Sequence, residues 1–262
     1  MSTDRLLNEI VSIALSAGDI IMDIYGGPVE VKTKDDSSPV TLADEAAEKH
    51  ILAALKALTP NIPVVAEESV AAGAIPDISD GHFWLVDPLD GTKEFIGRNG
   101  EFTVNIALIM NGVSVLGVVH APAKDRTFYG AKDEGAFCFE DGEAHAIAAR
   151  PAPTDGVVVV TSRSHGAGEE LDAFLSDLKI ASPSHAGSSL KFCLVAAGEA
   201  DVYPRFGRTM EWDTAAGHAI VHFAGGKVTD MDGNELQYGK PGFENPHFLV
   251  TGPGVAKATP DS

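Results

Sequence analysis

Two aspartates stand at the end of an apolar run in the middle of the chain. Residues 83–86 are typical of a buried strand, and Asp87 interrupts them, with Asp90 and a Gly91-Thr92 turn close behind. Burying an unpaired carboxylate is costly, and two carboxylates three residues apart repel each other. A hard divalent cation such as Mg²⁺ removes both penalties, because it binds carboxylate and carbonyl oxygens and water. If Gly91 and Thr92 open a helix, their backbone amides face an anion. This stretch therefore predicts a site for a metal ion and a phosphate.

Two further acidic residues stand where predicted elements end or begin. Glu67 follows the short apolar run Val64-Val65, and Asp213 follows Trp212 at the start of a predicted helix. Each position also has an ordinary explanation. Glu67 fits a solvated loop, and Asp213 fits the first turn of a helix, where the helix dipole favours a negative charge. Asp87 is the hardest to explain in this way, because it directly follows a buried strand.

The composition is that of a globular protein. The chain has 262 residues, of which 44% are hydrophobic and 22% charged, so it can bury a substantial core. No apolar run is long enough to span a membrane, and the N-terminus lacks the features of a signal peptide. Two cysteines do not indicate a disulfide framework. We expect a cytoplasmic protein, with a peripheral position at the inner face of the membrane as the alternative.

The net charge limits the partners. There are 38 acidic and 19 basic side chains, which gives a formal net charge of −19. Such a chain is not expected to bind a nucleic-acid polymer, which requires basic surface to displace counterions. A small phosphorylated substrate remains compatible with this charge, because bound Mg²⁺ reverses the local field. The chain is expected to be a monomer or a homodimer.

The periodicity of apolar residues predicts the elements that position these side chains. Helices are predicted over residues 3–25, 42–58, 168–178, 190–197 and 212–223. Strands are predicted over residues 29–32, 64–65, 83–86, 103–110, 113–120, 157–161, 202–203, 227–229 and 247–250. Thr41 and Asp44 resemble a capping box before the second helix. Asn111-Gly112 and Asp141-Gly142 predict hairpin turns. Residues 33–39, 69–81 and 180–189 are predicted to be loops.

A break in this pattern divides the chain. The proline-rich stretch at residues 151–153 predicts a boundary between an N-terminal α+β domain, residues 1–150, and a C-terminal α/β domain, residues 151–262. The first would carry most of the metal ligands, and the second would carry Asp213 and substrate-binding residues. Strand–helix alternation in the second half predicts the α/β class.

Three motifs in this order resemble one enzyme family. Residues 87–92, Asp-Pro-Leu-Asp-Gly-Thr, are similar to the first signature of the lithium-sensitive, magnesium-dependent phosphomonoesterases of the inositol monophosphatase superfamily. Residues 212–217, Trp-Asp-Thr-Ala-Ala-Gly, resemble its second signature, and residues 67–69 its Glu-Glu-Ser element. The resemblance covers residues 34–230. It implies an α/β fold of the sugar-phosphatase type, an α+β layered sandwich in which layers of helices and sheets alternate.

Other segments resemble one group within that superfamily, the bacterial 3′(2′),5′-bisphosphate nucleotidases of the CysQ type. Residues 91–95 have the Thr-Lys-Glu form, whereas inositol monophosphatases usually carry Asn in place of Glu94. Residues 187–193, 201–205 and 34–44 are also similar to that group. The resemblance implies hydrolysis of the 3′-phosphate of adenosine 3′,5′-bisphosphate to AMP, with the sulfated nucleotide 3′-phosphoadenosine 5′-phosphosulfate as a further substrate. It implies a role in clearing a by-product of sulfate assimilation.

The resemblance also implies roles for individual residues. Two or three Mg²⁺ ions would be held by five groups: Glu67, Asp87, the Leu89 carbonyl, Asp90 and Asp213. The catalytic residues would be Asp44, Thr92 and Glu67, with the Thr92 hydroxyl, oriented by Asp44, positioning the attacking water. Lithium would inhibit by displacing one weakly held Mg²⁺. The substrate would be bound by seven residues: Gly91, Thr92, Lys93, His165, Ser188, Lys191 and Arg205. Without the resemblance, Lys191 and Arg205 would be read as ordinary surface cations.

Two other functions remain open at this stage. The first is an inositol monophosphatase or a broad sugar phosphatase that uses the same metals; Lys93-Glu94 and the cations Lys191 and Arg205 argue against it, because a monophosphate needs no second anion site. The second is a non-catalytic nucleotide-binding sensor on the same fold. A sensor is expected to have lost a metal ligand or Thr92, and the sequence retains both.

Overall fold

The helices and strands were located in a computed structural model, which describes residues 2–27, 31–33, 39–163 and 168–255. Within those ranges the chain forms seven α-helices: α1 (Thr3–Tyr25), α2 (Leu42–Leu58), α3 (Glu67–Ala71), α4 (Thr92–Ile96), α5 (Glu169–Ser176), α6 (Leu190–Ala196) and α7 (Glu211–Phe223). The same ranges contain fourteen strands: β1 (Val31–Thr33), β2 (Pro39–Thr41), β3 (Val64–Ala66), β4 (His82–Asp90), β5 (Thr103–Met110), β6 (Val113–Ala121), β7 (Arg126–Ala131), β8 (Gly135–Glu140), β9 (Glu143–Ala146), β10 (Val157–Thr161), β11 (Ile180–His185), β12 (Val202–Arg205), β13 (Lys227–Asp230) and β14 (Phe248–Thr251).

Most strands belong to two large sheets. The first has seven strands in the order β3-β4-β5-β6-β7-β8-β9, and the second has five in the order β11-β10-β12-β14-β13. In the first sheet β3 runs parallel to β4, and each later pair is antiparallel. In the second sheet β10 is parallel to both β11 and β12, whereas β14 is antiparallel to its neighbours. Strands β1 and β2 form a separate antiparallel pair.

Side chains that alternate along β4 show how the layers are stacked. Trp84 and Val86 pack in a core with α1 and α2, whereas Phe83 and Leu85 pack in a second core with α6, α7 and the five-stranded sheet. The far face of that sheet packs against residues of α5, among them Phe174. The order of layers is therefore helix, sheet, helix, sheet, helix. This arrangement confirms the predicted layered α/β architecture with alternating helix and sheet layers.

The core between the two sheets draws on both halves of the chain. Leu85 of β4 and Val250 of β14 belong to the same cluster of buried side chains. At the junction, Arg150 donates from Nε to Oδ1 of the buried Asp201 over 2.6 Å. The division into domains at residue 150 stays a prediction.

Small residues allow α7 to lie close against the seven-stranded sheet. A methyl group added to Gly117 of β6 would overlap the backbone of Ala216, and one added to Gly217 would overlap the ring of Phe192 in α6. The Ser114 hydroxyl donates to the carbonyl of Ala215 over 2.8 Å. The Ala-Ala-Gly part of the second motif therefore acts through packing, and it fixes where the first turn of α7 carries its aspartate.

Most of the predicted elements are confirmed. Helices α1 and α2 have the predicted limits, α2 begins with the predicted capping box, and the hairpin at residues 111–112 joins β5 to β6. Helix α4 begins at Thr92, so Gly91 and Thr92 open a helix, as the first motif predicted. Residues 34–38 of the predicted loop lie outside the described residues.

Three predictions of local structure are wrong. Residues 180–185 form strand β11 and not a loop, because they pair with β10 at the edge of the sheet, where polar side chains face solvent and no apolar alternation marks the strand. Strand β4 does not end before Asp87 but continues through an irregularity to Asp90. Residues 69–71 belong to helix α3, which is too short to show helical periodicity.

Both cysteines, Cys138 and Cys193, are free and buried, as expected for core positions. In the parts of the chain that the structure describes, no helix combines the length and the apolar character that crossing a membrane requires. The cytoplasmic localisation stays a prediction.

The close approach of α7 to β6 gives a test of the packing. Replacing Gly117 with alanine is expected to lower the free energy of unfolding by about 1–3 kcal/mol, because the added methyl group meets backbone atoms that cannot rotate away. Urea denaturation measures the change. Gly26→Ala is the matched control, since that glycine has helical dihedral angles and an added methyl group would make only ordinary contacts. Equal stability of the two variants would contradict the packing described here.

Candidate active site

The C-terminal ends of strands β3 and β4 bring together the acidic residues of the Glu-Glu-Ser element and of the first motif. Strands β3 and β4 are parallel and Ala66 pairs with Val86, so Glu67 and Asp87 follow at the same level of the sheet. The pairing of β4 with β5 is irregular between Asp87 and Asp90, and this irregularity turns the chain. Asp87 is buried, and the charge of Glu67 acts on it. The starts of helices α2 and α7 supply the remaining carboxylates, Asp44 and Asp213.

One oxygen of each aspartate accepts a hydrogen bond from a backbone amide. Asp87 Oδ1 accepts from Leu89 N over 3.0 Å, Asp90 Oδ2 from Ser189 N over 2.6 Å, and Asp213 Oδ2 from Met210 N over 2.8 Å. The bond to Asp213 forms because this residue is the third of α7 and closes a capping interaction. Fixed donors of this kind hold a carboxylate in one orientation without neutralising it.

The negative charges of these carboxylates repel one another. Burial raises the pKa of Asp87, and the charges of Glu67, Asp90 and Asp213 raise it further. Burial likewise raises the pKa of Asp213, with Asp90 and Glu67 adding to the effect. Burial raises the pKa of Asp90 to about 6, although Lys191 and the amide of Ser189 act in the opposite direction. A cluster with this much repulsion requires protons or cations.

The donor set fits magnesium. All the predicted side-chain ligands are carboxylates, which are the oxygen ligands that Mg²⁺ prefers. Leu89, whose carbonyl is the remaining predicted ligand, stands between Asp87 and Asp90 in the chain. Among the described residues, no three of these carboxylates bring ligand atoms within 4.8 Å of one another. Mg²⁺ usually binds through one or two carboxylates and otherwise through water or phosphate, so the fit to magnesium rests on the type of donor.

Another group of ligand-type side chains does converge within 4.8 Å in the described part of the chain: Cys138, Glu140 and His145. A guanidinium group already occupies its surroundings, since Arg126 Nε lies 2.7 Å from Glu140 Oε2. A cation in contact with the cluster disfavours a metal ion there.

Asp44 and Thr92 meet although 47 residues separate them. The Thr92 hydroxyl lies 3.2 Å from Asp44 Oδ1, and Asp44 Oδ2 accepts from the amide and the hydroxyl of Thr41 over 2.8 and 2.7 Å. The capping box of α2 therefore also fixes the carboxylate that contacts Thr92. Burial raises the pKa of Asp44, the hydrogen bonds from Thr41 lower it, and the charge of Glu67 raises it again. The net shift is upward.

Gly91 makes the turn between the strand and α4 with φ of 92°, a left-handed conformation that glycine adopts readily. A side chain at this position would also press against the carbonyl of Glu101, the carboxylate of Glu94 and the side chain of Ser188. The turn is therefore held between the seven-stranded sheet and the segment that precedes α6.

Two cations lie beside the acidic cluster. Lys191 and Arg205 line a cavity of about 110 Å³ together with Asp90, Ser188 and Asp213. A larger cavity of about 250 Å³ adjoins it and shares Arg205 as a lining residue. Among the described residues, the buried Nε atom of Arg205 has no hydrogen-bond partner. An anion in the smaller cavity would supply one.

Lys191 is buried, in contrast to the surface position that its sequence context alone suggests. Its Nζ donates to the carbonyls of Ser188 and Ala186 over 2.6 and 3.3 Å, and it lies 5.2 Å from the centre of the Tyr203 ring. Burial lowers its pKa to about 8, with Asp90 acting against that shift and Arg205 adding to it. The ammonium group is thus held in the cavity wall.

The remaining predicted site residues are divided. Ser188 has a left-handed φ of 44° and its hydroxyl accepts from Thr103 Oγ1 over 3.2 Å. Lys93 is exposed, and it is not among the residues that line the two cavities. His165 lies outside the described residues.

Sequence reasoning missed two supporting residues. Glu48 is buried and accepts from Glu68 N and Ser69 Oγ over 2.8 and 2.6 Å, so it holds the turn that presents Glu67. Its position four residues after Asp44, on the same face of α2, is a signal that was available in the sequence. Ser189 supports Asp90, and no local pattern marks this contact between distant segments.

The comparisons with known proteins agree with this fold. The family model described as the inositol monophosphatase family matches residues 2–259. The chain belongs to this family.

Within it, the chain is 50% identical over 249 residues to the 3′(2′),5′-bisphosphate nucleotidase CysQ of Salmonella typhimurium. The match covers 94% of this chain and 99% of the relative. The chain is 48% identical over 249 residues to the protein of the same name from Escherichia coli K12, with the same coverage. Among solved structures, CysQ from Bacteroides thetaiotaomicron superimposes with a TM-score of 0.80 at 38% identity, over 95% of this chain and 98% of that one. An IMPase of Thermotoga maritima superimposes with a TM-score of 0.79 at 29% identity, over 97% of this chain and 94% of that one.

The raised pKa values give a test that needs no substrate. In the folded state the pKa values of Asp87, Asp90 and Asp213 lie above the ordinary value of 3.8, so folding favours their protonated forms. The metal-free protein is therefore stabilised at low pH and loses that stability as the pH rises through the folded-state values, near 6 for Asp90. We expect the melting temperature of the metal-free protein to fall between about pH 4 and pH 7, and Mg²⁺ to raise it more at the higher pH, since ligands must be deprotonated.

Differential scanning fluorimetry with and without a chelator makes this measurement. Asp90→Asn is expected to reduce the pH dependence, whereas Asp172→Asn on the exposed face of α5 is expected to retain it. A Mg²⁺ effect that is the same at both pH values, or that survives in Asp90→Asn unchanged, would contradict the assignment of these ligands.

Proposed function

We propose that this protein is a magnesium-dependent phosphomonoesterase that hydrolyses the 3′-phosphate of adenosine 3′,5′-bisphosphate to give AMP and phosphate. One observation carries the proposal: two carboxylates of the acidic cluster, Asp90 and Asp213, and a pair of cations, Lys191 and Arg205, line the same cavity. A bisphosphate needs both, because one phosphate reacts at the metal site while the other requires positive charge. The names of the relatives that are 48–50% identical support the nucleotide as substrate.

Two or three Mg²⁺ ions would be held by the carboxylates of Glu67, Asp87, Asp90 and Asp213 and by the carbonyl of Leu89. When bound, such ions lower the pKa of a water molecule and stabilise the oxygen that leaves in an in-line displacement. The charge of Glu67 raises the pKa of Asp44, so this ligand would also act on the pair of Asp44 and Thr92.

Thr92 and Asp44 would position the attacking water. Because the Thr92 hydroxyl donates a hydrogen bond to Asp44, the lone pairs of its oxygen remain available to accept a hydrogen bond from water. The backbone amides of Gly91 and Thr92 at the start of α4 would contact the oxygens of the reacting phosphate. None of these groups has to form a covalent bond with the substrate.

The second phosphate would be bound by Lys191, Arg205 and Ser188. Arginine suits this role because its planar guanidinium donates two parallel hydrogen bonds to an oxyanion. The nucleoside would extend into the adjoining cavity of about 250 Å³, which Tyr203 and Phe206 help to line. The same cations would accept the sulfated end of 3′-phosphoadenosine 5′-phosphosulfate, so this nucleotide is a second candidate substrate.

Phosphate release from two substrates tests the proposal. We expect the protein with Mg²⁺ to hydrolyse adenosine 3′,5′-bisphosphate in strong preference to inositol 1-phosphate, and Li⁺ to abolish the activity. Preference for the inositol ester would keep the metal site but replace the substrate assignment. Absence of phosphate release from both would favour a nucleotide-binding sensor.

The role of Thr92 can be tested separately from metal binding. Thr92→Val keeps the shape of the side chain but removes the hydroxyl, and we expect kcat to fall by roughly 100-fold, because the attacking water loses the hydrogen-bond acceptor that positions it. Thr92→Ser keeps the hydroxyl and is expected to stay within roughly tenfold of the wild type. Steady-state kinetics at saturating Mg²⁺ compare the two. Equal kcat values for the two variants would contradict the proposed role of the Thr92 hydroxyl.

A further inference from the structure

A buried carboxylate outside the metal cluster joins the two large sheets. Glu101 lies just before β5 and is 7% exposed. Its Oε2 accepts from Arg163 Nε over 2.8 Å and from Gly187 N over 2.9 Å, and its Oε1 accepts from Arg163 Nη2 over 2.9 Å. Burial raises the pKa of Glu101, but these hydrogen bonds and the charge of Arg163 outweigh it and hold that pKa below its ordinary value. The carboxylate is therefore charged and bound on both oxygens.

The partners of Glu101 belong to two separate segments of the five-stranded sheet. Arg163 follows β10, and its Nη2 also donates to the carbonyl of His185 at the end of β11 over 3.2 Å. Gly187 follows β11 and precedes α6. Ser162, beside Arg163, lines both cavities, and Ser188, beside Gly187, lines the smaller one. One carboxylate of the metal-bearing sheet thus fixes both segments of the opposite wall.

The segment at Gly187 can lie against Glu101 only without a side chain. A methyl group added to Gly187 would come within 2.6 Å of the Glu101 carbonyl oxygen and 2.8 Å of Glu94 Cγ. This close approach fixes the position of the carbonyls of Ala186 and Ser188, to which the Lys191 ammonium group donates. A displacement of the segment would move Lys191 in the cavity.

The support of Asp90 depends less on Glu101. Ser189 donates its amide to Asp90, and its hydroxyl is fixed by Thr103 Oγ1 over 2.8 Å and Asn105 Oδ1 over 2.7 Å. Those contacts come from β5 itself. Loss of the Glu101–Arg163 pair should therefore disturb the cation side of the cavity more than the metal side.

We propose that Glu101 and Arg163 are positioning residues that determine specificity for a substrate with a second anionic group, because they hold the wall that carries Lys191 and Ser188 at the correct distance from the acidic cluster. This inference rests on the proposed function. Arg163 suits the role because its guanidinium forms two parallel bonds with Glu101, which a lysine cannot do.

Kinetics of Arg163→Gln, Arg163→Lys and Glu101→Gln test the inference. For Arg163→Gln and Glu101→Gln we expect KM for adenosine 3′,5′-bisphosphate to rise by roughly tenfold, with kcat and the kcat/KM for inositol 1-phosphate changed by less than roughly threefold. Arg163→Lys is expected to be intermediate, because it keeps the charge but loses the paired geometry. The dissociation constant for adenosine 5′-phosphate, measured by calorimetry, should rise in parallel with KM.

The control is Glu199→Gln, which removes the same charge from a second arginine–carboxylate pair, Arg126–Glu199, whose residues line neither cavity. It is expected to leave both substrates unaffected. Equal losses for both substrates in Arg163→Gln would indicate a general structural role, and no loss for either would remove the role; both results overturn the inference.

The wild type separates this inference from the proposed function. If the wild type does not prefer the bisphosphate nucleotide, the proposed function fails and the inference fails with it. If the wild type prefers the nucleotide and Arg163→Gln keeps the same preference and the same affinity for adenosine 5′-phosphate, only the inference is overturned. Melting temperatures of all variants verify that each is folded.

Discussion

The mutual repulsion of carboxylates at one sheet edge is the constraint on which the rest of the structure depends. Asp87, Asp90 and Asp213 lie with Glu67 nearby; the charges of Glu67, Asp90 and Asp213 raise the pKa of Asp87, and those of Asp90 and Glu67 raise the pKa of Asp213. A folded chain tolerates such a cluster only where each carboxylate is fixed and where a cation compensates the charge. The amides that donate to these carboxylates hold them in place, and the proposed Mg²⁺ ions would compensate their charge.

The fold meets this constraint by using the ends of elements. A carboxylate at the end of a strand or the start of a helix can accept hydrogen bonds from amides that the element leaves unpaired. Asp213 does so at the start of α7 and Asp44 at the start of α2, where the capping box also directs its second oxygen to Thr92. Local helix stability and the geometry of the site therefore depend on the same hydrogen bonds.

Helix α7 shows how packing and chemistry are connected. It lies between the two sheets, and its first turn carries an aspartate to the edge of a sheet from which it is distant in sequence. Its small residues permit that approach, since Ala216 lies directly against Gly117 and Gly217 against Phe192. The cation side of the cavity depends in a similar way on close contacts, those of Gly187 with Glu94 and Glu101. The two sides of the cavity are thus held by separate sets of contacts.

The sequence by itself determined the residue types of the site and the elements formed by local interactions. The capping box of α2, the hairpin after β5 and the turn at Gly91 depend on residues within four positions of one another, and each was predicted. The tertiary structure alone decided which distant residues meet: Glu101 with Arg163, Ser189 with Asp90, and Asp44 with Thr92. It also decided that residues 180–185 form a strand, because an exposed edge strand is defined by its hydrogen-bonded neighbour and not by its own apolar pattern.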